Sequence, residues 1–245
     1  MRRRMRTVTP VLPAETGMRR GLSYSLWLPP RGHPRGAVVI LHGAGSVKEN
    51  HHDFARAASA SGLAAVAFDQ RGHGQSEGAM DDRVLEDVAE MAELARGAAR
   101  LSPDGRDEPL PVALRGSSMG GYLALLAAPP AGARAVVAIC PASAEGLRRG
   151  LAAQAFSFAA DRPALDRFLS EHDLHEASTA LTVPVLLLHA EGDEQVPVQH
   201  SRELAERLTH PQSRLVAVPG GHHRSVQHDP ELRALSLRFL ERVLQ

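Results

Sequence analysis

The chain has 245 residues, 43% of them hydrophobic, which suits one α/β domain with a sizeable core and argues against disorder. Lysine plus arginine and aspartate plus glutamate each number 28, so the formal net charge is zero and neither nucleic acid nor an anionic membrane is expected as the main partner. A single cysteine, Cys140, excludes an internal disulfide framework. Lys48 is the sole lysine, and the bias to arginine and alanine points to a GC-rich bacterial genome.

The chain opens MRRRMRTVTPVLP. It is basic but has neither the apolar stretch nor the small-residue cleavage site of a signal peptide. A basic tail over residues 1–12 and a cytoplasmic location are expected. No apolar run approaches the ~20 residues that a membrane span needs. Next, GLSYSLWLPP (Gly21 to Pro30) alternates with period 2 and predicts an antiparallel edge strand. Apolar runs follow, too short for buried helices and most of them valine-rich, as buried parallel strands are: Ala37 to His42, Leu63 to Phe68, Pro111 to Gly116, Ala135 to Cys140, Val183 to His189 and Arg214 to Pro219. Helices are predicted between and after them, over Asn50 to Ser61, Asp81 to Leu101, Met119 to Ala128, Val198 to Leu208 and Glu231 to Leu244. Asp81 to Leu101 carries Val84, Leu85, Val88, Met91 and Leu94, a stripe of period 3.6. Alternating strands and helices predict a mostly parallel sheet with helices on both faces, in one domain spanning 1–245. One segment breaks the rhythm. Ala144 to Thr182 has no strand candidate, and its Leu147, Leu151, Phe156, Phe158, Leu165, Phe168 and Leu169 predict two or three short helices, an insertion over one end of the sheet.

Ligands of open parallel sheets bind at the carboxyl ends of the strands. RGSSMGG places two serines at such an end. A nucleophile on so sharp a turn needs small residues two before and two after it. Around Ser118 these are Gly116 and Gly120; around Ser117 they would be Arg115 and Met119. Only Ser118 fits G-x-S-x-G, with a strand before it and a helix after it. A serine hydroxyl needs a base, and the base needs an orienting acid. Asp193 follows the Val183 to His189 strand, with Glu194 and Glu191 as the next carboxylates. His222 and His223 follow the last strand in PGGHH. All three hang off carboxyl ends, in the chain order serine, aspartate, histidine. Two backbone donors should face the developing oxyanion: the N–H of Met119, and one from His42-Gly43-Ala44-Gly45, with Ala44 first and Gly45 next. Residues alone leave His222 and His223 both open as the base.

These stretches, with LHGAG, FDQRGHGQS (Phe68 to Ser76), GSSMGG, HAEGDEQVP and PGGHH, resemble the α/β-hydrolase superfamily from about Gly21 onward. The resemblance is greatest to small hydrolases of the serine-aminopeptidase and acylglycerol-lipase-like group. It implies a serine hydrolase without metal or cofactor, acting on a small-molecule acyl substrate. It implies structural roles for Asp69, Arg71 and His73, and a lid over 144–182. Aligned on Pro219 and Gly220, it places the base at His223. A carboxylesterase of small or medium acyl groups is expected; thioesterase, peptidase and perhydrolase chemistry would use the same parts, and a receptor could retain them. A metal at His51-His52-Asp53, or at His222, His223, His228 and Asp229, matches no common zinc spacing.

Overall fold

The computed structural model describes residues 11–101 and 108–245. Residues 1–10 of the basic tail lie outside them, and the two tail residues that remain, Val11 and Leu12, are exposed. Eight strands form one sheet: β1 Glu15–Arg19, β2 Leu22–Trp27, β3 Ala37–Leu41, β4 Ala64–Phe68, β5 Val112–Ser117, β6 Ala135–Ile139, β7 Val185–Ala190 and β8 Arg214–Val218. Their spatial order is β1-β2-β4-β3-β5-β6-β7-β8. β2 runs antiparallel to both neighbours, and every pair from β4 to β8 is parallel. The six apolar runs are therefore the six parallel strands.

The expected edge strand needs correction. β2 lies inside the sheet between β1 and β4, and all six of its residues are buried. Its polar residues do not face solvent: the Ser23 hydroxyl donates to Gln75 Oε1, and the Ser23 amide donates to Ser76 Oγ. The true edge is β1, a short polar strand that alternates half-buried and exposed residues, as an edge protected against pairing does.

The helices are α1 His52–Ala60, α2 Val84–Arg96, α3 Met119–Ala127, α4 Ala144–Ala152, α5 Arg162–Glu171, α6 Leu174–Ala180, α7 Val198–Arg207, α8 Ser225–His228 and α9 Pro230–Val243. Short 3₁₀ turns precede α1 at Lys48–His51 and follow α2 at Gly97–Leu101. Successive strand residues face opposite sides, and the core divides accordingly. Ala37, Val39 and Leu41 of β3 pack with Val88 of α2, Tyr122 of α3 and Leu204 of α7. Val38 and Ile40 pack with Phe54 of α1 and Phe239 of α9. Helices thus cover both faces. None is long and apolar enough to cross a membrane.

The insertion holds three helices. α4 and α5 pack on each other, whereas α6 packs on α3 and α7. The link between α4 and α5 is tied to the loop after β4: Ala159 N–H donates to Gly72 O (3.1 Å), Met80 N–H to Ala159 O (2.8 Å) and Asp161 N–H to Met80 O (2.9 Å).

Candidate active site

Chain order reverses on either side of β3, which lies between β4 and β5. That is the switch point at which open α/β sheets form a crevice, and the loops after β3 and β5 meet there. β5 ends at Ser117, and Ser118 turns the chain into α3 at φ 53°, ψ −119°, a strained conformation for a residue with a side chain. Ser118 N–H donates to Ile139 O, and its carbonyl accepts from Tyr122 and Ala142, so the turn is held from both sides. The flanking glycines are obligatory. A Cβ on Gly116 would lie 2.0 Å from Gly120 O, and one on Gly120 would lie 2.4 Å from Leu41 O. Both serines border an open cavity but they differ: Ser117 is buried and its hydroxyl donates to Gln227 Oε1 (2.8 Å), while Ser118 is only half-buried and its hydroxyl has no such partner among the described residues. Sequence reasoning missed Gln227, which no local motif marks.

Asp193 and His223 meet across the loops after β7 and β8. His223 Nδ1 donates to Asp193 Oδ2 over 2.7 Å, which leaves Nε2 as the acceptor, and both side chains are buried. Asp193 Oδ1 accepts from the amides of Gln195 and Val196, each at 2.9 Å. Burial alone would raise the Asp193 pKa. The hydrogen bonds from His189, His223 and the two amides outweigh it and hold the carboxyl well below the ordinary range. His222 is exposed, and only its backbone is engaged, by Ser225. Glu194 accepts the His223 backbone amide at 3.3 Å, and Glu191 pairs with Arg202. His228 borders the cavity and is engaged by Asp53 and Gln227.

The loop after β3 passes directly over Ser118: a Cβ on Gly43 would sit 3.3 Å from Ser118 Cβ. Gly45 N–H is already committed to His73 Nε2 at 3.2 Å. The Ala44 amide has no acceptor among the described residues. Met119 is the first residue of α3, where an N–H has no intrahelical acceptor and the helix dipole is positive. His42 braces the loop from beneath. Its Nε2 accepts from Gln70 N–H (2.9 Å), and burial, with His73 nearby, lowers its pKa to about 4.

The Phe68 to Ser76 block acts as scaffold. Asp69 accepts from the Lys48 amide and from Lys48 Nζ, both at 2.7 Å, so the sole lysine fastens the β3 loop to the β4 loop. Arg71 makes a two-pronged pair with Asp87 of α2. His73 stacks on Phe158 of the α4–α5 link, with centroids 4.1 Å apart.

The cavity holds about 630 Å³ and is lined by Ser118, His223, Gly43, Ala44, Gln195 and Arg224, among others. Leu147 and Phe156 of the insertion form part of its wall. They also line a second, wholly apolar slot with Met119, Tyr122, Phe158 and Phe168, which has only about 10 Å³ of room. Of the residues weighed for metal from the sequence, Asp53 pairs with Arg233 and His228, and His51 is buried. Among the described residues, metal-type ligand atoms come within 4.8 Å of one another in two other groups, Cys140–Asp193–His223 and His175–His200–Glu203. In the first, the Asp193 and His223 atoms are already bonded to each other, and burial keeps the Cys140 thiol protonated.

The family described as serine aminopeptidase, S33, matches residues 32–165, and a TAP-like protein family matches 166–242. A monoacylglycerol lipase of Mycolicibacterium smegmatis is 28% identical over 251 residues, covering 85% of this chain and 87% of that one. Among solved structures, the monoacylglycerol lipase of Paleococcus ferrophilus superimposes with a TM-score of 0.68 at 21% identity, covering 91% of this chain and 98% of the other. Est1E of Butyrivibrio proteoclasticus gives a TM-score of 0.72 at 19% identity, covering 95% and 98%. At these identities the two structures show a shared fold.

Proposed function

The chain belongs to the serine aminopeptidase S33 family of α/β hydrolases, and on that footing we propose that it hydrolyses carboxylic esters of the monoacylglycerol kind through an acyl-enzyme on Ser118. Ser118 Oγ attacks the ester carbonyl as His223 Nε2 takes its proton. The negative oxygen that forms is met by the Ala44 and Met119 N–H groups. The tetrahedral intermediate collapses, the C–O bond to the alcohol breaks, and His223 returns the proton to the leaving alkoxide. Water, deprotonated by the same imidazole, then attacks the acyl carbonyl and releases the acid. Asp193 stays ionised and fixes the ring so that Nε2 is the accepting nitrogen.

The observation that carries this reading is the His223–Asp193 hydrogen bond, set in the same cavity as the strained Ser118. The substrate class is supported by the lipase relative and by the two compartments. The polar cavity suits a small polyol leaving group. The apolar slot sharing Leu147 and Phe156 suits an acyl chain once α4 and α5 part, since its present room would hold no more than one water. In this reading α4, α5 and their link form the lid.

The test is a panel of p-nitrophenyl esters of increasing acyl length and a monoacylglycerol, beside aminoacyl anilides and acyl-CoA thioesters. Esters should be turned over best, with kcat/KM rising from short to medium acyl chains. Preference for anilide or thioester would overturn the substrate class. No turnover of any substrate, with no labelling of Ser118 by a fluorophosphonate, would overturn the mechanism.

A further inference from the structure

Away from the cavity, α6 and α7 lie side by side and bring together three side chains that ester hydrolysis does not use. His175 belongs to α6. His200 and Glu203 lie three residues apart on α7, and so on one face of that helix. One ligand atom from each lies within 4.8 Å of the other two, and His175 Nε2 is 3.4 Å from Glu203 Oε2. Ligands held tetrahedrally at ~2.0–2.1 Å from a zinc ion stand about 3.4 Å apart, so small side-chain rotations close the set.

The nitrogens make the case stronger. Nε2 of His175 and Nε2 of His200 are both shielded from solvent and neither has a hydrogen-bond partner. A buried polar atom left unpaired is a cost that folds seldom carry without a reason. Here the two unpaired atoms belong to neighbouring imidazoles whose ring centroids are 5.8 Å apart, and a carboxylate is in reach. The other nitrogen of His175, Nδ1, lies 3.5 Å from Asp173 Oδ1. A carboxylate behind a ligating histidine is the usual means of fixing its ring and raising its basicity. The His175 and Glu203 side chains are 35% and 45% exposed, so the group lies at the surface and the side-chain rotations that close the set also uncover the shielded nitrogens to an entering ion.

We propose that His175, His200 and Glu203 bind a divalent first-row transition ion, zinc matching best, with water completing the coordination. Two imidazoles and one carboxylate suit zinc, cobalt or nickel. Calcium and magnesium need more oxygen ligands than this site offers. The ion takes no part in ester hydrolysis. It clips the last helix of the insertion to α7, and α7 is the helix whose Ser201 hydroxyl lies 2.7 Å from His189 Nδ1, behind Asp193.

The test uses the full chain, tag-free and stripped with a chelator. Calorimetric titration with zinc chloride should give one ion per chain, cobalt chloride should give the visible bands of a four-coordinate site, and zinc should raise Tm. Calcium and magnesium should do neither. H175Q and H200Q should each weaken zinc binding at least about tenfold and remove the Tm rise, with circular dichroism and ester turnover as in the parent. E203Q, at a half-exposed position, should weaken binding without any question of misfolding. Zinc affinity unchanged in H175Q and H200Q would overturn the assignment. So would loss of the zinc isotherm in D193N in their place, which would put the ion at Cys140, Asp193 and His223.

Discussion

His189 Nε2 lies 3.3 Å from Asp193 Oδ2, the oxygen that also accepts the His223 proton at 2.7 Å. Four donors therefore converge on one buried carboxylate: two amides on Oδ1 and two imidazoles on Oδ2. The single Nε2–H of His189 is shared between Asp193 Oδ2 and Val196 O, the latter at 2.9 Å, and its Nδ1 accepts from the Ser201 hydroxyl. This makes Asp193 a fixed anion. Asp193→Asn should fold normally by circular dichroism yet lose about 10⁴-fold in kcat, because the amide sets its own N–H groups against the His223 ring and favours the wrong tautomer. A loss of only a few-fold would shift the orienting role to another carboxylate, Glu194 first. Because the folded-state pKa is depressed, the stabilisation that Asp193 contributes is present above about pH 4 and is lost as pH falls below it.

The two serines make opposite predictions. Ser118→Ala should lower kcat by about 10³-fold or more with Tm unchanged or slightly raised, since it removes the hydroxyl and leaves the fold's contacts in place. Ser117→Ala cuts the bond to Gln227 and should lower Tm while sparing most of the turnover. A fluorophosphonate adduct found on Ser117 by peptide mass spectrometry would exchange their roles.

At PGGHH, both rings were open from the sequence, and burial distinguishes them. His223 is 9% exposed and bonded to Asp193, whereas His222 is exposed. His223→Ala should abolish ester turnover, and His222→Ala should keep most of it. Measuring kcat for both variants decides the point, and the reverse pattern would make His222 the base.

Much of this architecture was legible because it rests on local pattern. The five runs that form β3 to β7 are buried on both sides, so they read as apolar from end to end, and the edge strand β8 keeps enough of the same pattern to be seen; Ser118, Asp193 and the histidine pair then fall at carboxyl ends by chain order alone. What escaped depends on contact between distant segments. β1 is ETGMR, too short and polar to stand out, and Ser23 of β2 bonds to Gln75 and Ser76 of the Phe68 to Ser76 block. Gln227 matters only because α8 brings it over Ser117. His175 and His200 lie on different helices, in no recognisable spacing, and only the packing of α6 on α7 joins them.

The insertion's tether makes a sharper test than its helices. Gly72 has φ 78°, and a Cβ there would lie 2.0 Å from Ala159 O. Gly72→Ala should therefore break the backbone bonds that tie the α4–α5 link to the β4 loop, and the His73–Phe158 stack should loosen with them. Limited proteolysis should then cut within residues 153–161 faster than in the parent. Equal cleavage rates in the two proteins would mean that the packing of α4 and α5 on each other holds the segment without the tether.

Acid stability should be governed by buried histidines. His51 is 1% exposed and neither ring nitrogen has a partner. Burial, and then the nearby Arg115 charge, hold its pKa well below the ordinary value. His42 is lowered to about 4, chiefly by burial. Both are neutral when folded, whereas the unfolded chain protonates them near pH 6.5. As pH falls from about 6.5 toward 4, the unfolded state takes up protons that the folded state refuses, so stability must drop across that window. His51→Leu exchanges two unpaired buried polar atoms for an apolar side chain of similar size. Tm at pH 7 should hold or rise, because no hydrogen bond is lost, and its decline between pH 6.5 and 4 should become shallower. His42→Leu should behave differently: it strips the acceptor from Gln70 N–H and should lower Tm even at pH 7. A His51→Leu variant that melts well below the parent at pH 7, with the same slope toward acid, would show that the His51 ring is stabilising as it stands and is not the group that sets the acid limit.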